Sequence, residues 1–298
     1  MTRLDVFMTG ATGYVGSRVA AALVARGHRV RALQRSERPL PAGVEAVPGR
    51  LEEPEAVAVA ARGADRVLHL GFPQHGLAWS EGVEVERRFL EVLTDRWEGA
   101  SVVASNGSLF LGPSNPRHDE WSPVDPASPA SIRAAATHPV THTPALRGVE
   151  LRLASFVYGG GGSVFLPILV EHARRSGEAL YVDGAAHVSA VHVDAAAEAY
   201  VLAAESGTAR GVYHVASDEE PTIYDLSRAV AASTGAEPRS VTLEEASARL
   251  DPFTAMFLAT DNRLSSDRIR GELGWSHRGH PSLLWDVAHG SYASGDVL

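Results

Sequence analysis

The chain has 298 residues, of which 45% are hydrophobic and 21% are charged, and its formal net charge is −9. This size suits one large α/β domain, or such a domain with a smaller lobe, while the negative charge argues against non-specific binding to nucleic acid or to anionic membranes. The absence of cysteine excludes disulfides, thiolate nucleophiles and zinc–thiolate sites. Because we find no leader pattern and no apolar stretch that could span a bilayer, we expect a cytoplasmic location.

The N-terminal stretch predicts a strand, a glycine-rich turn and a helix. Residues 4–8 are an apolar run typical of a buried strand. The helix that follows carries four apolar residues on one face: Val19, Ala20, Leu23 and Val24. Between them, Gly10, Gly13 and Gly16 allow a sharp turn and a close approach to a pyrophosphate, and the helix N-terminus offers free N–H groups to it. The alternative is a plain strand-to-helix turn without a ligand.

This turn carries a resemblance to a known family. Gly10-x-x-Gly13-x-x-Gly16, within TGATGYVG (residues 9–16), resembles the cofactor loop of the extended and atypical short-chain dehydrogenase/reductases, which include NAD(P)-dependent sugar epimerases, dehydratases and dihydroflavonol-type reductases. Four later segments are similar to the same family in order: VYGGGG (157–162), HVD (192–194), YHVAS (213–217) and LGW (273–275). The resemblance therefore covers essentially the whole chain.

The resemblance implies a fold but not one function, because this fold hosts many chemistries. It implies an α/β protein with a Rossmann-type doubly wound parallel sheet and a smaller C-terminal α/β substrate-binding lobe. We expect residues 1–158 to form the dinucleotide-binding domain, completed by about 186–216. Residues 159–298 would form mainly the substrate-binding lobe, interleaved with the first domain. The glycine run at 159–162 is predicted to be a flexible hinge into this lobe.

The second predicted strand, residues 28–33, bears on the choice of cofactor. In NAD-binding relatives an acidic residue near its end holds the ribose 2′-hydroxyl. Here the strand runs into Gln34, Arg35 and Ser36. Arg35 could pair with a 2′-phosphate and stack on adenine, or it could be a solvated surface arginine. We therefore favour NADP(H) over NAD(H).

The remaining cofactor contacts follow from the resemblance. GRLEE (49–53) stands where relatives place an Asp-Leu pair beside adenine, and since Arg50 replaces the acid, only Leu51 carries over. HLGF (69–72) resembles a segment whose backbone lies along the cofactor, while His69 itself is interpreted as a packed core histidine. The full set of expected cofactor-binding residues is Gly10, Thr12, Gly13, Tyr14, Val15, Gly16, Arg35, Ser36, Leu51, Leu70, Gly71, Phe72 and Ser155.

Further along the chain, residues 83–97 have helical spacing and a charged face, which fits either a monomer or a homodimer contact. Residues 112–129 are rich in proline, serine and aspartate and predict a long loop that is functional or mobile. Residues 132–143 predict a weak helix broken by Pro139 and Pro144. Asp194 is expected to be the N-cap of a later helix.

The family's usual catalyst is absent from the sequence. Relatives use a serine or threonine with a Tyr-x-x-x-Lys pair on the helix after strand five, where a neighbouring ammonium lowers the tyrosine pKa from about 10. By order in the chain, the pair would fall near residues 126–136, which read PASPASIRAAA. No tyrosine lies between Tyr14 and Tyr158, and every one of the 27 Lys and Arg residues is arginine. The usual proton relay therefore has no counterpart here.

Weaker catalytic candidates remain. Ser105 and Ser108 lie where relatives keep the catalytic serine, although serines there commonly cap a strand-end turn. Tyr158 is a candidate substrate contact or substitute acid, with a structural role as the alternative. Arg133 could bind an oxyanion but cannot donate a proton at neutral pH, and an exposed position is the favoured interpretation.

Four histidines, with Asp194 and Trp79 near two of them, are the other residues considered as site candidates. His138 and His142 are interpreted as solvated or lid residues, and no metal site is expected. His192 and Asp194 are predicted to fix the hinge, and His75 and Trp79 could line the pocket or pack in a loop.

Three functions remain open. The first is an NADP(H)-dependent carbonyl reductase acting on a small hydrophobic substrate by a non-standard proton relay; a biosynthetic role would fit. The second is an isomerase, cyclase or dehydratase that retains the cofactor without net redox chemistry. The third is a regulatory protein that senses NADP. The expected partner in the first two is a small molecule.

Overall fold

The computed structural model describes residues 2–73, 77–96, 101–114 and 116–293. Its strands are β1 (Asp5–Thr9), β2 (Arg29–Gln34), β3 (Val44–Pro48), β4 (Arg66–His69), β5 (Ser101–Asn106), β6 (Arg147–Leu153), β7 (Phe156–Tyr158), β8 (Glu178–Val182), β9 (Ala190–His192), β10 (Gly211–Val215) and β11 (Glu237–Val241). Its helices are α1 (Tyr14–Ala25), α2 (Pro54–Ala60), α3 (Trp79–Arg96), α4 (Ser131–His142), α5 (Leu166–Ser176), α6 (Val193–Glu205), α7 (Ile223–Thr234), α8 (Leu243–Arg249), α9 (Pro252–Ala259), α10 (Asp267–Leu273) and α11 (Leu283–His289).

Within the described residues, seven parallel strands form the main sheet in the order β3-β2-β1-β4-β5-β6-β10. The central strands are apolar runs because helices cover both faces of the sheet, and Val6, Phe7 and Met8 of β1 are all fully buried. The strand order reverses between β1 and β4, so a crevice opens beyond the carboxyl ends of these two strands. The sheet confirms the predicted doubly wound α/β fold.

Separate apolar clusters lie on the two faces of the sheet and beyond it. On one face α1 packs against α6, and on the other α2, α3 and α4 cover residues such as Phe7 and Val102. A further cluster gathers α5, α7, α9 and α11 around the small β8–β11 sheet. No helix in the described part of the chain is long and apolar enough to cross a membrane. The predicted division of the chain near residue 158 stays a prediction.

Helix α4 is continuous, so the expectation that Pro139 breaks it is wrong. Pro139 lies one turn from the end of the helix, and it removes only one N–H donor from the helical ladder. The buried face of α4, with Ala136, Thr137 and Val140, packs against α3 and β6. Since tertiary packing supplies most helix stability in proteins, this face outweighs the local cost of the proline.

Three contacts tether the predicted loop at residues 112–129. Ser114 donates a hydrogen bond to Asp261, His118 pairs with Leu264 in a β-bridge, and the His214 backbone N–H donates to Glu120. These contacts fix residues of the predicted 112–129 loop to the C-terminal part of the chain. In this conformation the contacts restrain these residues, so they have a structural role.

The glycine run at 159–162 is also held in place, which corrects the expectation of a flexible hinge. The Tyr14 hydroxyl donates to the Gly159 carbonyl at 2.7 Å, and the Gly159 N–H donates to the Tyr292 hydroxyl at 2.9 Å. The Tyr292 hydroxyl in turn donates to the Gly162 carbonyl. Positive φ angles at residues 159, 160 and 161 explain why glycine is needed there.

The N-cap of α6 is His192, not Asp194 as predicted. The His192 side chain accepts a hydrogen bond from the Asp194 backbone N–H, and Asp194 lies in the first turn. There its carboxylate faces the helix N-terminus, where negative charge is favourable, and lies 3.6 Å from Arg18.

Candidate functional site

One cleft of about 510 Å³ lies beyond the carboxyl ends of the sheet strands. It is lined by all thirteen residues that the sequence predicts as cofactor contacts: Gly10, Thr12, Gly13, Tyr14, Val15, Gly16, Arg35, Ser36, Leu51, Leu70, Gly71, Phe72 and Ser155. Ser105, Ser108 and Arg133 line the same cleft. The structure thus brings most of the predicted site residues together, while their individual roles stay predictions.

The glycine turn is packed so closely that side chains are sterically excluded. Gly10 has φ +80°, and a Cβ there would lie 2.6 Å from the backbone nitrogen of Gly71. A Cβ on Gly16 would lie 2.0 Å from the Gly10 carbonyl oxygen. These two glycines allow α1 to begin directly against the end of β1, at the sheet's crevice.

The N-terminus of α1 is left open for an anion. Its N-cap is Gly13, which offers no side-chain cap, and the described first turn contains no acidic residue. The free N–H groups and the positive end of the helix dipole therefore face the cleft without a protein counter-charge. This arrangement fits the pyrophosphate of a dinucleotide.

The far end of the cleft, beyond β2 and β3, is basic. Arg35, Arg38 and Arg50 line it, together with Leu51 and Glu52. The sequence analysis does not name Arg38. Its signal in the sequence is a second arginine only three residues after Arg35. The described end of β2, Gln34, carries no carboxylate that would repel a phosphate.

A chain of buried polar contacts runs beneath the middle of the cleft. The Gly71 N–H donates to Thr9 Oγ1, which lies 2.8 Å from His69 Nδ1. His69 Nε2 lies 3.3 Å from a carboxylate oxygen of Glu86, and both side chains are fully buried. These contacts connect the end of β1 to the end of β4, and His69 connects β4 to α3 through Glu86.

Arg133 is the last member of this series of polar contacts. The expectation that its side chain is exposed on the helix is wrong. Its guanidinium contacts both carboxylate oxygens of Glu86, at 2.9 and 3.0 Å, and donates to the Ser105 carbonyl. It also lies over the Phe72 ring, 4.6 Å from the centroid. Burial alone would raise the pKa of Glu86, but Arg133 and His69 outweigh it and lower this pKa to about 2.

The sequence analysis does not name Glu86 as a site residue. The signal for it is its position on the apolar face of its helix. It lies three residues after Val83 and three before Phe89, so it falls on the apolar face of α3. A charged residue on such a face requires a buried partner, because an unpaired charge there is costly.

The two candidate serines have different hydrogen-bond partners. The Ser105 hydroxyl oxygen lies 2.6 Å from the hydroxyl of Tyr200, a fully buried residue of α6. Ser108 donates to the side-chain oxygen of Asn262 at 3.0 Å, and it is itself buried. Tyr200 and Asn262 were missed because they are distant in sequence from the predicted catalytic region.

Tyr158 lies outside the cleft. This position contradicts the expectation that it contacts the substrate or acts as the acid. It is 2% exposed in the second apolar core, and its hydroxyl donates to the Pro281 carbonyl at 2.7 Å. Burial raises its pKa further from neutrality. Its strand β7 runs past the cleft, and only the neighbouring Val157 lines it.

His138, His142 and His192 are not among the residues that line the cleft. His138 and His142 stack with ring centroids 3.5 Å apart on exposed parts of α4. His192 stacks on His280 beside the glycine run. His75 lies outside the described residues.

Five aromatic rings line the cleft and contact one another. The contacts run from Phe72 to Trp79 at 4.9 Å, from Trp79 to Phe253 at 5.5 Å, and from Phe253 to Phe165 at 5.8 Å between centroids. Phe257 packs against Phe165 in a tilted arrangement, with centroids 3.9 Å apart. Two of these rings come from α9, where their spacing of four residues was the missed signal. We call Phe72, Trp79, Phe165, Phe253 and Phe257 the aromatic wall.

Comparison with curated proteins finds relatives that match nearly the whole chain. It is 28% identical to the uncharacterized protein YLL056C of Saccharomyces cerevisiae, over 95% of this chain and 98% of that protein. It is 32% identical to a 3-diazoavenalumate denitrifying reductase of a Streptomyces species, over 94% of this chain and 97% of that protein. A 2-alkyl-3-oxoalkanoate reductase of Stenotrophomonas maltophilia is 27% identical over 78% of this chain and 76% of that protein.

Among solved structures, the fold is similar to dTDP-glucose 4,6-dehydratase from Bacillus anthracis in complex with NAD. The TM-score is 0.76 at 14% identity, covering 98% of this chain and 97% of that one. The family model for the NAD dependent epimerase/dehydratase family matches residues 6–216. The chain therefore belongs to the NAD dependent epimerase/dehydratase family and is an NAD(P)-dependent enzyme of the short-chain dehydrogenase/reductase type.

Proposed function

We propose that the protein is an NADP(H)-dependent reductase of small, planar, hydrophobic carbonyl compounds. The observation that carries the proposal is the arrangement of a single cleft. The same cleft combines an open helix N-terminus, a basic end, the aromatic wall and Ser105. Relatives named as reductases support the same reaction class.

The preference for NADP(H) rests on the arginines. Arg35 and Arg38 follow β2, where NAD-binding proteins place the carboxylate that holds the ribose 2′-hydroxyl. A 2′-phosphate would gain charge-assisted hydrogen bonds from guanidinium groups there. Glu52 lines the same end, but Arg50 lies 4.0 Å from its carboxylate and offsets its charge.

The substrate class follows from the aromatic wall. Rings of this kind favour flat apolar ligands, which bury area against their faces. In the described lining around Ser105, the charged side chain is Arg133, and Glu86 already engages it in a two-point contact. A substrate carrying a diphosphate would need unpaired cations, so a neutral, apolar substrate fits this end better.

The chemistry is hydride transfer with the substrate oxygen held by this chain. A nicotinamide held in the cleft would supply a hydride for the carbonyl carbon; the π electron pair would then move to oxygen, and a proton that comes finally from water would complete the alcohol. Ser105 lines the cleft and hydrogen-bonds the oxygen on which negative charge develops. The aromatic wall excludes water from the reacting carbon and orients the ring of the substrate.

A second reaction fits the absence of the tyrosine and lysine proton relay, because this reaction needs no proton donor. An arenediazonium carbon that accepts hydride releases N₂ and becomes a C–H carbon, so it needs no proton donor. The relative from a Streptomyces species is named a denitrifying reductase of a diazo compound. Reductive loss of N₂ from an aromatic diazonium substrate is therefore the second candidate function.

The test is NADPH oxidation by the purified protein with acetophenones, naphthoquinones, β-ketoesters and an arenediazonium salt. We expect oxidation with at least one aryl substrate, a slower rate with NADH, and one product molecule per NADPH consumed. Product that forms while NADPH is unchanged would overturn the proposal in favour of the non-redox alternative. Binding of NADPH without turnover of any substrate class would also contradict it.

A further inference from the structure

We propose that Tyr200, reaching the site from α6, positions the Ser105 hydroxyl so that Ser105 donates a hydrogen bond to the substrate oxygen. This inference rests on the proposed reductase function. Tyr200 is not among the residues that line the cleft, so it would act only through Ser105.

The geometry at Ser105 leaves one proton free for the cleft. The Tyr200 hydroxyl lies 2.6 Å from Ser105 Oγ. A phenol is a stronger acid than an aliphatic alcohol, so Tyr200 donates and Ser105 accepts. A serine hydroxyl that accepts through one lone pair still has its own proton to donate. Because Ser105 lines the cleft and Tyr200 is fully buried, that proton is available on the cleft side.

Ser105 is held on its backbone side as well. An Arg133 nitrogen donates to the Ser105 carbonyl oxygen at 3.3 Å, and the Glu86 contact fixes the guanidinium. The residue is thus restrained by α4 through its carbonyl and by α6 through its hydroxyl. Such restraint is what preorganises a donor toward a developing oxyanion.

Tyr200 acts through Ser105 and keeps its own proton. Burial raises the pKa of Tyr200, and the opposing effects of Ser105 and Arg133 are smaller. The phenol therefore stays neutral throughout the physiological pH range. This is the opposite of the family's usual tyrosine, whose pKa is lowered so that it can give up a proton.

The neighbouring serine lacks this free proton. Ser108 donates to the side-chain oxygen of Asn262, which also accepts from Ser189 at 2.5 Å. Its hydroxyl proton is therefore used within the protein. The two serines that the sequence could not separate are distinguished by their partners, and Ser105 is the donor.

A double-mutant cycle tests the role. With the best substrate of the panel, Ser105→Ala should lower kcat about 100-fold, since loss of one oxyanion donor costs about 10²–10³. Tyr200→Phe should lower kcat about 10-fold, with the NADPH Kd within twofold of wild type. The double variant should match Ser105→Ala, because Tyr200 acts only through Ser105. Tyr213→Phe, which removes another phenol of a fully buried ring, is the matched control and should keep wild-type kcat.

Three results would overturn the role of Tyr200. These are an unchanged kcat in Tyr200→Phe, effects that multiply in the double variant, or a loss of NADPH affinity that accounts for the loss of rate. They are distinct from failure of the proposed function, in which the wild-type protein itself turns over no substrate.

A second readout does not depend on turnover. The infrared carbonyl band of the best ketone of the panel, labelled as ¹³C=O and held in the dead-end complex with NADP⁺, should shift to lower frequency than in hexane, because Ser105 donates to it. We expect a smaller shift in Tyr200→Phe and the smallest in Ser105→Ala. Equal band positions in wild type and Tyr200→Phe would overturn the role. Absence of any bound-ketone band would overturn the proposed carbonyl reduction and this role together.

Discussion

The guanidinium of Arg133 forks onto the buried carboxylate of Glu86, with its two nitrogens 2.9 and 3.0 Å from the two oxygens. The pair joins α4 to α3 directly beneath the cleft. Arg133 lies on the helix where the family resemblance implies a lysine. Its charge is paired with Glu86, and it donates a hydrogen bond to the Ser105 carbonyl. The electrostatics of this site therefore differ from those of the usual family catalyst.

The pair should stabilise the fold in a pH-dependent way. Glu86→Gln leaves Arg133 buried beside a neutral group, and breaking a buried pair costs about 3–5 kcal/mol. Because the pKa of Glu86 is lowered from 4.5 to about 2, its contribution is fully present above pH 4.5 and is lost as the pH falls toward 2. Urea unfolding at several pH values should show the wild-type advantage over Glu86→Gln shrinking across that window.

The matched control is Glu84→Gln on the same helix, at an exposed position paired with Arg87. It should leave stability unchanged within error, because exposed ion pairs contribute little. A wild-type advantage over Glu86→Gln that stays constant down to pH 2.5 would contradict the assignment of the pair.

The glycine turn should tolerate no Cβ at position 16. Gly16→Ala would place a methyl group 2.0 Å from the Gly10 carbonyl oxygen, so α1 must move away from β1. We expect NADPH binding by calorimetry to weaken at least 100-fold. Gly207→Ala, where a Cβ meets nothing within 4 Å, should bind as wild type. Retention of NADPH affinity within twofold in Gly16→Ala would argue against binding of the pyrophosphate at this turn.

The basic end of the cleft should set the cofactor preference. In the Arg35→Ala/Arg38→Ala variant we expect the KM for NADPH to rise about 10- to 100-fold, since each charge-assisted hydrogen bond contributes about 1.5–3 kcal/mol when fully formed and less at an exposed site. The KM for NADH should change by less than threefold. Arg278→Ala, at an exposed position elsewhere, serves as the control for net charge. An equal loss for both cofactors would remove the argument for a 2′-phosphate contact.

The fold was predictable because its signals are local. The apolar run of β1, the glycine spacing and the apolar face of α1 each predict their own element, and together they predict the crevice where the cofactor residues meet. The family resemblance then implies a doubly wound parallel sheet, and the observed sheet confirms it.

The catalytic side was only partly predictable, because its decisive contacts are distant in sequence. Ser105 is visible after strand five, but Tyr200 lies 95 residues away and meets it only in the folded chain. Arg133 was interpreted as exposed because its partner Glu86 is 47 residues earlier. Tyr158, in the VYG segment after strand six, is a candidate substrate contact or acid from the sequence, and only the structure shows that its hydroxyl donates to the Pro281 carbonyl.

Tyr292 should hold the glycine run against α1. Removing its hydroxyl in Tyr292→Phe leaves the buried Gly159 N–H without that acceptor, which costs about 1–3 kcal/mol. We expect lower thermal stability and faster amide hydrogen exchange across residues 159–162. Tyr224→Phe, on a ring that is 40% exposed, is the control and should change neither. Unchanged exchange at Gly159 in Tyr292→Phe would contradict the role assigned to this contact.

Transfer of deuterium from C4-deuterated NADPH tests the central claim most directly. With an aryl ketone as substrate, we predict that mass spectrometry finds one deuterium on the carbinol carbon of the alcohol, in amounts equal to the NADP⁺ formed. With an arenediazonium substrate, the deuterium would appear on the ring carbon that lost N₂. A product that carries no deuterium, formed while the labelled cofactor is recovered intact, would contradict hydride transfer in this cleft.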